Sequence, residues 1–407
     1  MHTADQLHPT TMAGRALTLP TRAIPFDTDK LDALLEEARI DVLMASSKHN
    51  IQYLIGGYRY FFFEHFDAIG LSRYLPILIY PRGRPDQAAY IGDGMETYER
   101  DLGRFWMPQF DTASGSVGAM HVAIGYLRRL GAERKTIGFE RGFVPADAES
   151  LLHSELPGCR IVDAQFALER LRAVKSPHEL EYVRQASERV VESMLSVIAD
   201  HGLGTSKRAL VEALRHEEVG RGLTFEYCLI TAGTSLNRAP SDQLWEEGDI
   251  LSLDSGGNYQ GYIGDLCRMA ILGEPDSELE DLLAEVDQIQ QAARKPIKVG
   301  TRGGDVIAAA EEVLHGSPHG NLLEFVAHGM GLISHEAPRL TDRAPIPYPA
   351  YDADFPLAAG MVLSIETTLP HPRRGFVKLE DTVVVTDAGW EAFGDVGRGW
   401  NRGGTRA

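Results

Sequence analysis

Four acidic residues lie in turn or strand positions where a buried carboxylate would destabilise the fold unless a cation or hydrogen-bond donors compensate its charge. Asp254 and Asp265 lie on two strand-like runs separated by a glycine-rich turn, so a hairpin brings both carboxylates together. Glu366 and Glu380 each interrupt an apolar strand-like run, where a buried carboxylate requires a cation or strong hydrogen-bond donors. For each acid taken singly, a solvated turn or a strand end facing water remains an open alternative.

Two histidines flank a second glycine-rich stretch. His328 precedes Gly-Met-Gly, where the backbone can approach a ligand closely, and His335 follows beside Glu336. The candidate ligand set is Asp254, Asp265, His328, Glu366 and Glu380. Hard oxygen donors with a single nitrogen suit Mn, Fe, Co or Zn, and four carboxylates would neutralise two divalent ions. The set therefore predicts a dinuclear metal site.

The elements that must position these residues form two groups. Residues 26–172 alternate short apolar runs with helical stretches, which predicts an α/β layer. A helix is expected to begin after Ser176, because Glu179 lies three residues later in a capping-box arrangement. From 173 to 400, strand-like runs and pairs of helices predict an α+β domain, and residues 1–25 are expected to form a flexible arm.

Composition excludes several classes of function. The 407 residues carry 40 Lys and Arg against 58 Asp and Glu, a formal charge of -18, which argues against nucleic-acid and membrane-surface binding. No stretch is long and apolar enough to span a bilayer. The three cysteines are widely spaced and form no CxxC, so neither a disulfide framework nor a thiolate metal site is indicated. We expect a cytoplasmic protein.

The chain resembles the pita-bread metallopeptidases, which include methionine aminopeptidase, aminopeptidase P and Xaa-Pro dipeptidase. The resemblance rests on six local signatures in a fixed order: Leu-Asp-Ser-Gly, Gly-Asp-Leu-Cys-Arg, His-Gly-Met-Gly, His-Glu-Ala-Pro, Ser-Ile-Glu and Lys-Leu-Glu-Asp. The segment Ala-Val-Lys-Ser-Pro-His-Glu at 173–179 is similar to the Xaa-Pro branch. The resemblance implies a C-terminal pita-bread domain of the α+β class, preceded by a smaller creatinase-type α/β domain.

The resemblance also implies roles for the candidate residues. By resemblance, the ligands are Asp254 on one ion, His328 and Glu366 on the other, and Asp265 and Glu380 between the two. A hydroxide held between two divalent ions, Mn or alternatively Co, Fe or Zn, would attack the substrate. Glu366 would shuttle the proton to the leaving nitrogen, and His335 would donate to the carbonyl oxygen.

Two positions depart from the family pattern. Asn237 stands where the peptidases usually carry a substrate-facing histidine, and Glu324 stands where the Xaa-Pro enzymes commonly carry another. Both are candidate substrate-binding residues, and both leave proline-peptide specificity open. The function implied is hydrolysis of a C–N bond in a small amide or short peptide.

An aromatic run begins at Tyr58 and contains one arginine. In similar enzymes the N-terminal domain of one subunit leans over the active site of its dimer partner. We therefore expect a homodimer in which Arg59, Tyr60 and Phe62 contact the substrate in trans. Packing within the core of the N-terminal domain is the alternative.

Two other functions remain open. The first is changed chemistry on a small non-peptide metabolite, as in creatinase-like amidinohydrolases or metal-dependent lyases of this fold. The amidinohydrolases lose the metal ligands, and the lyases carry a further Asp where this chain has Gly256. The second is a non-catalytic binding module, which would have no need of both bridging acids.

Overall fold

The computed structural model describes residues 22–63, 74–343 and 348–406. Of the predicted arm at 1–25, residues 1–21 lie outside the described ranges. Residues 64–66, the end of the aromatic run, also lie outside them. Across the described ranges, no helix combines the length and apolarity that a membrane span requires.

The N-terminal part is a six-stranded mixed sheet with helices around it. Its strands are β1 (Val42–Ala45), β2 (Ile77–Pro81), β3 (Ala89–Gly92), β4 (Gln109–Thr112), β5 (Thr136–Phe139) and β6 (Arg160–Asp163). Its helices are α1 (Thr28–Glu37), α2 (Lys48–Leu54), α3 (Thr97–Asp101), α4 (Gly115–Arg129), α5 (Ala146–Glu155) and α6 (Gln165–Arg172). The strand order is β4-β3-β2-β1-β5-β6, with β1–β2 and β2–β3 antiparallel and the other pairs parallel.

The central strands of this sheet are buried on both faces. Leu43 of β1 packs in one apolar cluster, whereas its neighbours Val42 and Met44 pack in another. Successive side chains of a strand point to opposite faces, so the two clusters lie on the two sides of the sheet. The α/β layer expected for this region is confirmed.

The C-terminal part is a nine-stranded sheet with four helices. Its strands are β7 (Thr224–Ala232), β8 (Ile250–Tyr259), β9 (Tyr262–Ile271), β10 (Glu324–Gly329), β11 (Glu336–Arg339), β12 (Val362–His371), β13 (Gly375–Thr386), β14 (Gly389–Phe393) and β15 (Asn401–Arg402). Its helices are α7 (Pro177–Asp200), α8 (Lys207–Gly220), α9 (Ser277–Arg294) and α10 (Gly303–Gly316). The main path is β11-β10-β12-β13-β9-β8-β7, while β14 pairs with β13 and β15 with β9.

Local sequence signals explain where these elements begin. The Ser176 side chain accepts from the Glu179 amide, and the Glu179 carboxylate accepts from the Ser176 amide, so the predicted capping box starts α7. The predicted hairpin also forms, with β8 and β9 antiparallel on either side of Gln260 and Gly261. Four strands of this part, β10, β11, β14 and β15, are not predicted by the sequence pattern. His328 lies on β10, where the pattern indicates only a glycine-rich turn.

The helices cover the sheet on the face opposite the candidate ligands. Leu253 and Leu266 belong to the cluster that contains residues of α7 and α8. Ile365 and Leu379 belong to the cluster that contains residues of α9 and α10. Each of these apolar residues is the sequence neighbour of a candidate acid, so the acids point to the uncovered face. The predicted α+β class is confirmed.

Candidate metal centre

The β8–β9 hairpin brings the first two acids to one face. Gly256 pairs with Asp265, and Asp254 pairs with Cys267, in the antiparallel register. Residues two apart on a strand share a face, so Asp254 and Asp265 point the same way. Asp254 is 2% exposed and Asp265 is 4% exposed, so both carboxyl groups are buried.

The β12–β13 hairpin supplies the other two acids and joins them to the first pair. Glu366 lies directly opposite Glu380, and Glu380 also pairs with Cys267 on β9. The Ser364 hydroxyl donates to Glu380 Oε1 at 2.8 Å and orients that carboxylate. The strand order thus places all four carboxylates around one point. The alternative of a carboxylate facing water is wrong for Glu380, which is 2% exposed.

His328 completes the predicted set from β10. Its Nε2 atom lies 3.9 Å from Glu366 Oε1 and 4.0 Å from Glu380 Oε1. The ring is fully buried, and Nε2 has no hydrogen-bond partner among the described residues. A buried ring nitrogen normally has a hydrogen-bond partner, so Nε2 is available to bind a group that is not one of the described side chains.

Two cations that sequence reasoning missed lie among the acids. Lys378, two residues before Glu380 on β13, places Nζ 2.7 Å from Asp254 Oδ2, 2.6 Å from Glu366 Oε2 and 2.8 Å from Glu380 Oε2. Arg238 also donates to Asp254. The two-residue spacing from Glu380 was a signal for Lys378, because it puts both side chains on one face. The sequence carried no comparable signal for Arg238, which comes from the loop after β7.

Burial and mutual repulsion set the electrostatics of the acids. Burial raises the pKa of the Asp265 carboxyl well above its usual value, and the charges of Glu380 and Asp254 raise it further. The phenol of Tyr227 donates to Asp265 and opposes this shift in pKa. Asp265 therefore favours its neutral form unless additional positive charge lies close to it.

The residues present fit a divalent metal ion. One oxygen each of Asp265 and Glu380 and a ring nitrogen of His328 lie within 4.8 Å of one another. Carboxylate oxygens with one imidazole nitrogen are a donor set that Mn, Fe, Co and Zn accept. The unpartnered Nε2 of His328 supplies the independent observation that this cluster is built to hold a cation.

His335 packs against His328. The two rings stack, with centroids 3.7 Å apart and planes at 18°. Burial lowers the pKa of His335 to about 3, with the neighbouring charges of His328 and Arg339 acting in the same direction. His335 is therefore neutral at physiological pH and carries one N–H that it can donate.

Glu336, the next residue, fixes this segment to the junction between the two parts of the chain. Its carboxylate accepts from Arg172 Nε at 2.8 Å and from Lys175 Nζ at 2.9 Å. Glu336 is fully buried, and both cations are 4% exposed or less. Arg172 also donates to Asn50 of the N-terminal sheet region. These ion pairs fix the position of Glu336 and therefore of its neighbour His335.

The structure separates the predicted substrate contacts of the aromatic run. Tyr60 and Phe62 are buried in the aromatic core of the N-terminal part. Arg59 instead reaches the C-terminal sheet, with Nη1 3.4 Å from Asn258 Oδ1 in the same chain. Arg59, Asn258 and Leu332 line a cavity of about 340 Å³. The predicted contacts in trans remain a prediction for all three residues.

The two positions that depart from the family pattern are both exposed. Asn237 lies in the loop after β7, and its backbone carbonyl accepts from the buried Lys207 ammonium at 2.6 Å. Glu324 is exposed at the start of β10, four residues from His328, a distance of roughly 13 Å along a strand. Substrate binding by Asn237 and Glu324 remains a prediction.

Comparison with known proteins gives the chain a family. Residues 179–387 match the model of Metallopeptidase family M24, and residues 28–174 match that of the Creatinase/Prolidase N-terminal domain. Uncharacterized peptidase YqhT of Bacillus subtilis is 23% identical over 367 residues, which cover 89% of this chain and 95% of that protein. The Xaa-Pro dipeptidase of Pyrococcus furiosus is 28% identical over 225 residues, which cover 54% of this chain and 62% of that protein.

A solved structure agrees with the fold. The Xaa-Pro dipeptidase from Bacillus anthracis superposes with a TM-score of 0.77 at 20% identity, covering 92% of this chain and 98% of that one. The family resemblance stated from sequence is confirmed. With a family model matching more than half of its residues, the chain belongs to metallopeptidase family M24, the pita-bread metallopeptidases, and is a metallohydrolase.

Proposed function

We propose that the protein is a dinuclear metal-dependent hydrolase that cleaves the C–N bond of a small amide or short peptide, in the manner of an Xaa-Pro dipeptidase. One observation carries the proposal: three buried carboxylates and the partly exposed Glu366 form one cluster with His328, whose buried Nε2 has no partner among the described residues. Family membership supports the same reaction class.

The ligand set divides between two positions. Asp265, His328 and Glu380 would hold one divalent ion, since their ligand atoms lie close together. Glu366 would join His328 on that ion and Asp254 would complete the second position, with Asp265 and Glu380 shared between the two. Such ions, when bound, make a water molecule nucleophilic near neutral pH and polarise the carbonyl that it attacks. We expect Mn, with Co, Fe or Zn as alternatives, because hard-ligand sites accept several metals.

Two side chains of this chain would move or stabilise charge. Glu366 is the most exposed of the five candidates, with 14% of its side chain accessible, so it can contact both the nucleophile and the substrate. It would accept the proton of the attacking water and deliver it to the leaving nitrogen. His335, neutral and stacked on His328, would donate its N–H to the carbonyl oxygen as negative charge develops there.

The cavity that Arg59 lines sets the size and charge of the substrate in this proposal, and its described lining residues include none of the five candidate ligands. A volume of about 340 Å³ suits a ligand of dipeptide size. Arg59 would pair with a substrate carboxylate in this cavity. We also propose a homodimer in which the aromatic run contacts the partner's site. A cytoplasmic setting is supported by the three free cysteines.

A second candidate is favoured by the departures around the centre: the same fold acting on a small non-peptide metabolite. Asn237 replaces a titratable group by an amide, and Arg238 beside it binds Asp254. The lyase version of this candidate has less support. A Cβ atom on Gly256 would lie 2.4 Å from Tyr227 Cε1, so the further Asp of the lyases does not fit without rearrangement.

The test is hydrolysis of Xaa-Pro dipeptides, other dipeptides and small N-acyl or cyclic amides with Mn, Co, Fe or Zn supplied. We expect at least one dipeptide to be cleaved, with E366Q inactive and R59A raising KM at unchanged metal content. Turnover of only a non-peptide amide would favour the second candidate. Metal binding without hydrolysis of any compound would overturn the hydrolase, and absence of metal binding would leave only a binding module.

A further inference from the structure

Lys378 places an ammonium inside the cluster of candidate ligands. Its Nζ lies 2.6–2.8 Å from one oxygen each of Asp254, Glu366 and Glu380. The side chain is 3% exposed, so these contacts are shielded from solvent. An ammonium has three N–H donors and no acceptor, and three carboxylate oxygens satisfy all of them. Lys378 is therefore fully bound by the acids.

The position of Lys378 follows from the register of β13. Lys378 and Glu380 are two residues apart and share a face, and Lys378 pairs with Thr368 beside the Glu366–Glu380 pair. A lysine stem of four carbons extends from there to Asp254 on β8, across the gap that the two hairpins enclose. The register of β13 thus places one positive charge in the candidate metal centre.

The contacts of Lys378 and Arg238 fall on one side of the cluster. Lys378 binds Asp254, Glu366 and Glu380, and Arg238 binds Asp254. On the other side, Asp265 has the uncharged Tyr227 phenol as its hydrogen-bond partner, and His328 Nε2 has none among the described residues. Four carboxylates balanced by two side-chain cations leave a formal charge of -2, which one divalent ion neutralises.

We propose that Lys378 is a built-in competitor of the second divalent ion. The first ion binds beside His328 and uses Oε1 of Glu366 and Glu380, while Lys378 contacts only the Oε2 atoms of these two residues. The second needs the carboxylate of Asp254, whose Oδ2 is held by both Lys378 and Arg238, so it binds more weakly. This inference rests on the proposed dinuclear site and assigns to Lys378 the control of its second half.

The energetic reason is the cost of releasing a buried ammonium. A divalent ion attracts the carboxylates more strongly than an ammonium does, because it carries twice the charge. The displaced Nζ must nevertheless find new partners or remain buried without them. That cost is subtracted from the affinity of the second ion only. In return, Lys378 compensates Asp254 and Glu366 when a single ion is present, so the strands remain stable with half of the metal.

The experiment is a titration of chelator-treated protein with MnCl₂ by calorimetry, with bound Mn counted by elemental analysis. For the wild type we expect two steps whose dissociation constants differ by at least about tenfold. In K378M, a variant of similar volume without the charge, the second step should tighten by at least about tenfold. K378R keeps the charge and should keep the weak second step, and K298M, which removes a charge from an exposed lysine, should match the wild type.

Thermal unfolding gives a second readout that does not depend on activity. The chelated K378M protein should have a lower Tm than chelated wild type, and saturating Mn should raise its Tm by more. If K378M folds only when Mn is present, that result supports the proposal, because the metal then replaces the missing ammonium.

The outcomes are distinguishable from failure of the proposed function. Two wild-type steps of equal affinity, or a second step that K378M leaves unchanged, would overturn the role of Lys378 and leave the hydrolase standing. Absence of any Mn binding in the wild type and in K378M would overturn the metal-dependent function itself.

Discussion

Glu380 and Asp381 are consecutive acids on β13, and they show two different ways of burying a carboxylate. Their side chains point to opposite faces of the strand. Glu380 faces the candidate metal centre, and Asp381 faces a cluster of arginines behind it. Both are 2% exposed or less. The difference between the two faces is in the charge that surrounds each carboxylate.

Behind the strand, positive and negative charges are equal. Asp381 lies 3.0 Å from Arg268 Nη1 and 3.0 Å from Arg294 Nη2 and also contacts Arg398. Two further acids, Asp287 and Asp395, pair with the same arginines. Burial would raise the pKa of Asp381, but the charges of Arg268, Arg398 and Arg294 together hold it below its usual value. This face needs no external ion.

In front of the strand, the acids outnumber the cations. Four carboxylates face Lys378 and Arg238, and one buried imidazole nitrogen has no partner in the described part of the chain. Balanced clusters stabilise the fold, whereas a cluster with excess negative charge requires a bound cation. The comparison therefore separates the functional acids from the structural one by charge balance, even where they are neighbours in sequence.

The largest expected effect is on the front face. Asp265→Asn removes a shared ligand and should lower kcat/KM by about 10⁴-fold, because the metal would be lost or misplaced. Removing one of several mutually repelling carboxylates should leave the chelated protein as stable as the wild type or more stable. Steady-state kinetics and urea unfolding with a chelator measure the two effects. Asp387→Asn, at an exposed acid just beyond β13, is the control and should change neither.

On the back face, the corresponding change should affect stability instead. Asp381→Asn leaves three arginines without their shared counter-charge and should cost about 3–5 kcal/mol in the free energy of unfolding. Added Mn should restore none of it. The low pKa of Asp381 contributes stability above its usual value of 3.8, and this is lost as the pH falls through the lower folded value. The difference in urea unfolding should thus persist from pH 5 to 8 and shrink below about pH 4.

The sequence indicated the candidate ligand residues but not the charge balance between the faces. Asp254, Asp265 and Glu380 could be assigned from their local signatures, and the β8–β9 hairpin followed from its glycine-rich turn. Alternation along β13 was a signal that Lys378 shares a face with Glu380. It does not show that Lys378 reaches Asp254, because that contact depends on how two hairpins far apart in sequence pack together.

The aromatic run shows the same limit. Its composition was compatible with both core packing and substrate contact, and periodicity does not distinguish them. The structure places Tyr60 among aromatic partners, with its ring centroid 5.3 Å from that of Tyr74 and its hydroxyl donating to Asp93. Arg59, next in sequence, points out towards Asn258. Tertiary packing of the N-terminal sheet, rather than local sequence, decides the direction of each side chain.

A smaller effect is expected from the neutral histidine of the front face. His335→Phe keeps the stack on His328 and removes the N–H donor, so kcat should fall about 10²-fold. KM and the bound Mn should change little, because the ring makes no contribution to the ligand set. A parallel loss of metal content would mean that His335 positions His328 and does not stabilise the developing charge.

Glu218 tests a third way of burying a carboxylate, with a proton in place of a metal or an arginine. Burial raises the pKa of Glu218 from the usual 4.5 to about 8, and only the Ser255 hydroxyl, at 2.8 Å, donates to it among the described residues. The folded state therefore binds this proton more tightly than the unfolded state, and the free energy of unfolding should fall as the pH rises from about 5 to about 8, by about 3–4 kcal/mol. Glu218→Gln should remove this slope in urea unfolding, with Glu212→Gln on the exposed side of α8 as control. An equal slope in both variants would mean that Glu218 is already ionised in the folded protein and that an unrecognised cation, as on the back face of β13, compensates it.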